Sequence, residues 1–117
     1  MQKPKARLAI FASGRGSNAE ALMSAFEAGK LDAELSLVLS NKEGARVLEV
    51  ASTRGYATAT VPSKGLSREE HEARVLEAVQ DAGIQHILLA GYMRILSPQF
   101  LQGFQALQPT GCILNIH

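Results

Sequence analysis

Apolar runs of strand length alternate with amphipathic stretches of helix length along nearly the whole chain. The runs predict strands over residues 8–12, 34–40, 57–61, 86–90 and 112–116. Between them, Leu22 and Phe26 recur at helical spacing before Gly29, and Val47, Val50 and Ala51 do so before Gly55. Each glycine suits the left-handed residue that closes a helix. Ser67 and Glu70 fit a capping box, with Val75 and Val79 as the buried stripe and Gly83 as the stop. Ser97-Pro98 predicts a cap with proline at the first helical position, opening a short helix through Leu101.

Strands alternating with helices on short connections predict βαβ units. The fold class is therefore α/β, a Rossmann-like doubly wound parallel sheet with helices on both faces. The strand tips at Ala12, Ser40, Val61, Ala90 and Ile116 then share one edge, where open α/β sheets hold their ligands. A length of 117 residues suits a single domain spanning 1–117. A chain of this size buries roughly 65% of its unfolded surface, enough for one core.

Twelve basic and eleven acidic residues leave a net charge of +1, and neither sign forms a block. This argues against a nucleic-acid footprint and for a small ligand. The apolar run after the basic start is too short for a signal-peptide core or a membrane span, so a soluble, cytoplasmic protein is expected. Cys112 lies in an apolar run with no partner at metal-ligand spacing, and it reads as core rather than as a reactive thiol; no metal is expected.

Ser13-Gly14-Arg15-Gly16-Ser17-Asn18 follows the first strand. Its glycines allow a tight turn and close backbone approach, and the helix start behind it presents free N–H groups to an anion such as phosphate. Ser17 and Asn18 add donors to that anion, unless one of them only caps the helix. With Ala19 the loop also matches the G-x-G-x-x-A dinucleotide fingerprint. A dinucleotide site wants an acid at the second strand tip, and that tip reads Ser40-Asn41-Lys42.

After the fourth strand, Gly91-Tyr92-Met93-Arg94-Ile95-Leu96 surrounds one arginine with large apolar side chains. The segment either forms an apolar slot for a flat ring or folds back onto the core with Arg94 solvated. At the fifth tip, Asn115 and His117 are two residues apart and so face one side of the pleat. An amide can donate to an oxyanion and an imidazole can move a proton near neutral pH, although such residues at a frayed terminus are equally often merely solvated.

Together, residues 13–18, the segment from Gly91 through Ser97-Pro98, and Leu114-Asn115-Ile116-His117 resemble the phosphoribosylglycinamide formyltransferase family, the folate-dependent transformylases of purine synthesis; Ser40-Asn41-Lys42 is similar as well. The resemblance spans nearly the whole chain in order. It implies the formyltransferase fold and transfer of a formyl group from 10-formyltetrahydrofolate, a co-substrate, to the amino group of glycinamide ribonucleotide. It further implies that Gly16, Ser17 and Asn18 bind the ribonucleotide phosphate. Met93, Arg94, Ile95 and Leu96 would line the folate pocket, Arg68 would contact the folate unless it is only an exposed helix arginine, and Asn115 and His117 would be the catalytic pair, Asn115 also touching the folate.

The family pattern continues beyond the Asn-Ile-His segment with a proline-rich turn, further strands, an aspartate that works with the histidine, and a closing helix. The resemblance therefore implies a fragment truncated after the fifth strand, with self-association or pairing with a C-terminal part expected. Neither nucleic acid nor membrane is expected as a partner. Residues 104–111 look longer than the family's approach to the last strand and, with Pro109 and Gly111, read as a turn. His71, on the polar side of its helix, and His86, at a strand start, read as structural or solvated. A nucleotide-binding Rossmann-like module without formyl transfer is the alternative.

Overall fold

The alternation of elements is realised in the order anticipated. In the computed structural model, which describes residues 5–14, 16–94 and 96–116, the elements are β1 (Ala6–Phe11), α1 (Ser17–Glu27), β2 (Ala33–Ser40), α2 (Arg46–Thr53), β3 (Thr58–Thr60), α3 (Arg68–Asp81), β4 (His86–Leu89), α4 (Pro98–Leu107) and β5 (Ile113–Asn115). The strands form one parallel sheet in the order β3-β2-β1-β4-β5. Chain order reverses between β1 and β4, so the crevice beyond their carboxyl ends is the place where such sheets take ligands.

Successive residues of β1 point to opposite faces. Ile10 and Ala12 join Val38 and Leu88 under Ala19 and Met23 of α1 and Val47 and Ala51 of α2. Ala9 and Phe11 join Leu37, Leu39 and Ile87 under Val75 and Val79 of α3 and Phe100 and Phe104 of α4. Burial on both faces explains why the central strands read as continuous apolar runs.

Local signals act as expected at the helix ends. Gly29, Gly55 and Gly83 all take positive φ, and Ser67 and Glu70 form the reciprocal capping box of α3. Ser97 caps α4 ahead of Pro98 by accepting the Phe100 N–H at 3.1 Å.

Three expectations are corrected. First, α4 runs on to Leu107 rather than stopping at Leu101, because Phe100 and Phe104, one turn apart, both bury in the core. The turn begins only at Gln108 and ends at Gly111, where a Cβ would lie 2.5 Å from the Gln85 carbonyl oxygen. Second, Cys112 is exposed. Among the described residues β5 is an edge strand bonded to β4 alone, and no further strand covers its outer side. Third, His71 is not on a polar face. It is buried, with Nε2 2.7 Å from the Val61 carbonyl oxygen, because α3 turns this position toward the exit of β3. Its structural role stands, as does that of His86, whose Nδ1 accepts the Cys112 N–H at 3.0 Å.

Candidate active site

Three strand exits are tied together by one hydroxyl. Ser13, fully buried just past β1, donates its only hydroxyl proton to Asn41 Oδ1 at 2.6 Å and accepts the Met93 N–H at 2.7 Å. Because the Met93 amide can only donate, the serine proton must point to Asn41, so each bond fixes the direction of the other. The Ser13 N–H also reaches the Gly91 carbonyl at 3.2 Å. The loops after β1, β2 and β4 are thus held in mutual register at the switch point.

Behind this knot α1 begins. Its N-cap is Gly16, at φ 80°, and a Cβ there would come within 2.6 Å of Val47. Only glycine meets both conditions, the left-handed backbone and the close approach of α2. No side chain caps the helix, so Ser17 and Asn18 are not consumed as caps; both are exposed. The first-turn amides have no partner within the helix, and the helix dipole adds positive potential where they point. Gly14, Gly16, Ser17, Asn18, Ala90, Gly91 and Met93 line a cleft of 270 Å³ at this place. The residues expected to bind a phosphate and the first residue of the expected slot therefore share one crevice.

The segment after β4 divides between the two readings open to it. Tyr92 and Leu96 turn back onto the core, Tyr92 with its ring 5.3 Å from that of Phe11, whereas Met93 projects outward at 75% exposure. Arg94 is half-buried. The Tyr92 hydroxyl is buried without a partner among the described residues. Burial pushes its pKa up to about 12, aided by the Glu72 carboxylate and opposed by the Arg94 guanidinium. The far end of the segment is anchored by Glu72 of α3, whose carboxylate accepts the Ser97 N–H at 2.8 Å and the Ser97 hydroxyl.

The remaining candidates are more scattered. Arg68 is the exposed first residue of α3 and does not line the cleft. Asn115 ends β5 beside Leu89 and is exposed. Ile113 packs on the α3–α4 side, so strand alternation gives Asn115 the same side. Ile95 and His117 lie outside the described residues. Next to the knot, Asn41 also borders an open cleft of 640 Å³ carrying Lys42, Lys64, Arg74 and a single acid, Glu43. Neither the Ser13–Asn41–Met93 knot nor the Glu72–Ser97 anchor is legible in the sequence. Their partners lie 28, 80 and 25 positions away, beyond the reach of any local pattern.

Among the described residues, no group of three or more His, Cys, Asp or Glu side chains could hold a metal ion, and no helix is long and apolar enough to cross a membrane. Residues 6–117 match the formyl transferase family. The chain is 34% identical to phosphoribosylglycinamide formyltransferase of Escherichia coli K12 over 111 residues, 94% of this chain and 50% of that protein. It is also 34% identical to the human trifunctional purine biosynthetic protein adenosine-3 over 117 residues, 99% of this chain and 11% of the relative. Among solved structures, phosphoribosylglycinamide formyltransferase of Brucella melitensis superposes with a TM-score of 0.85 at 40% identity, covering 98% of this chain and 57% of that one. That from Bacillus halodurans gives 0.83 at 36%, covering 95% and 55%. The chain thus spans about half the length of the bacterial relatives it matches.

Proposed function

Since the chain belongs to the formyl transferase family, we propose that it carries the nucleotide-binding half and part of the catalytic apparatus of a phosphoribosylglycinamide formyltransferase. The observation that carries this reading is the single cleft in which Gly16, Ser17 and Asn18 meet Met93 at the sheet's switch point. It joins an anion site to an apolar wall, which suits a ribonucleotide phosphate next to a reduced folate.

In this reading the amino group of glycinamide ribonucleotide attacks the formyl carbon of 10-formyltetrahydrofolate. A carbon–nitrogen bond forms, a tetrahedral centre with an oxyanion develops, and the bond from carbon to the folate nitrogen then breaks. One proton leaves the attacking nitrogen and one is delivered to the departing nitrogen. Asn115 donates from its amide to the oxyanion, and His117 gives a proton or polarises the formyl oxygen. Met93, Arg94 and Ile95 contact the folate, Leu96 supports that wall from the core on which it packs, and Asn115 also meets the folate. Arg68, together with the cations Lys42, Lys64 and Arg74 of the neighbouring cleft, suits the carboxylates of the folate tail.

The protein works in the cytoplasm on small molecules, and pairs its β5 margin with a C-terminal part or with a second copy. The direct test is a thermal-shift comparison in a full-length enzyme carrying this segment. A ligand at a hundred times its dissociation constant adds about 2.7 kcal/mol to the native state. Stabilisation by glycinamide ribonucleotide and by a reduced folate is expected, and stabilisation by NAD alone would overturn the reading in favour of a dinucleotide module.

A further inference from the structure

Glu72 is a carboxylate buried to 7% exposure, and among the described residues no lysine, arginine or histidine forms a salt bridge with it. A carboxylate withdrawn from water in this way is costly unless its oxygens are used. Both are used on one residue: Oε2 takes the Ser97 N–H and Oε1 the Ser97 hydroxyl. Ser97 Oγ also accepts the Phe100 N–H as the cap of α4. The residue before Glu72 is fixed as well, since His71 is bonded to the Val61 carbonyl. The first two turns of α3 therefore form a post between the exit of β3 and the start of α4.

The segment on which this post acts is the one after β4. Its near end is held by Ser13 at the Met93 amide and its far end by Glu72 at Ser97. Between the anchors, Tyr92 and Leu96 lie on the core while Met93 stands out into the cleft. A span of this length tethered at one end only would sample many backbone states, and fixing it costs conformational entropy that a ligand would otherwise have to supply. An apolar contact between Phe100 and α3 could hold α4 without any buried charge, so packing alone does not account for a carboxylate here.

We infer that Glu72 is a positioning residue that holds the wall after β4 in its ligand-ready shape, by fixing Ser97. The identity of the ligand, a reduced folate, rests on the formyl-transfer reading above; the anchoring does not. In a full-length enzyme carrying this segment, Glu72→Ala raises KM for the formyl-folate roughly tenfold, leaving KM for the ribonucleotide within about twofold and kcat little changed. Glu72→Gln recovers part of the loss, because its carbonyl still accepts the Ser97 N–H and its amide can donate to the second lone pair of Ser97 Oγ, while the Ser97 hydroxyl proton loses its acceptor. Ser97→Ala reproduces the Glu72→Ala effect on the folate.

A second readout needs no activity. Hydrogen exchange followed by mass spectrometry should show faster exchange over residues 91–97 in Glu72→Ala and unchanged exchange over the loop after β1. Should Glu72→Ala not fold, Ser97→Ala carries the same two measurements, with Glu72→Gln expected between it and the parent. Unaltered exchange over 91–97, or a parallel rise in both KM values, overturns the proposal. A wild-type enzyme that ignores formyl-folate but shows the exchange pattern overturns the functional reading and leaves the anchor standing.

Discussion

The two margins of the candidate site are built differently. On the β1 side, the glycine loop grows out of strands buried on both faces, its serine is fully enclosed, and its glycine is wedged against Val47. On the β5 side, Asn115 ends a three-residue edge strand with Leu114 at 53% exposure, and Leu101 and Leu107 of the adjacent helix stand 43% and 38% exposed. A group whose neighbours are packed and hydrogen-bonded is positioned by the core, and that holds for the loop proposed to bind the phosphate. A group on an open edge gains its position from whatever pairs with that edge. Binding and chemistry are thus expected to separate under mutation.

The largest effect should fall on the chemistry. In a full-length enzyme, Asn115→Ala and His117→Ala are each expected to lower kcat by about a hundredfold or more while ribonucleotide affinity, read by calorimetry, stays near that of the parent. Near-normal turnover would remove these residues from the reaction. On the other margin, Gly16→Ala should cost about 2 kcal/mol or more in urea unfolding, since the new methyl meets Val47 on a backbone at φ 80°. It should also weaken ribonucleotide binding, and a variant with parental stability would show that the loop is not wedged.

A smaller effect tests the segment between the margins. Tyr92 has its pKa raised above the ordinary value of 10 to about 12. The unfolded chain therefore loses this proton first as pH rises, so the contribution to stability is full below pH 10 and falls away between 10 and about 12. Tyr92→Phe should be neutral or slightly stabilising at neutral pH, because it removes a buried hydroxyl with no partner among the described residues, and should flatten that alkaline loss in denaturant titrations. The smallest effect is expected at the open edge. In the chain of residues 1–117, Leu114→Lys should change stability by less than about 0.5 kcal/mol. It should also reduce the self-association measured by sedimentation, as a charge on an edge strand does. A large loss of stability would mean that the edge is already covered.

How far these features could be read in the sequence follows from the separation of the residues that make them. Val75 and Val79, the Ser67–Glu70 box and the Ser97-Pro98 start are each written within a turn of helix, and all are realised. The α4 end was missed although its signal, Phe100 and Phe104 one turn apart, was present; Pro109 and Gly111 drew the turn too early. Cys112 was misplaced because an apolar run is the same string of residues in a central strand and at an edge. The folding of Gly91-Tyr92-Met93 partly onto the core and partly into the cleft could not be told from its composition.

What the sequence determined alone is the set of elements, their order, the parallel α/β class and the loops at which polar and glycine residues gather, because periodicity, capping and turn chemistry act over a few residues. The tertiary structure decided which of those loops touch. Ser13 binding Asn41 and Met93 at once joins residues brought near when β1 is inserted between β2 and β4, and His71 reaching Val61 and Glu72 closing on Ser97 join residues brought near when α3 packs on the sheet beside α4. Buried hydrogen bonds of this kind need both partners at about 3 Å with water excluded, and that is a property of the packed sheet and helices rather than of any stretch of chain.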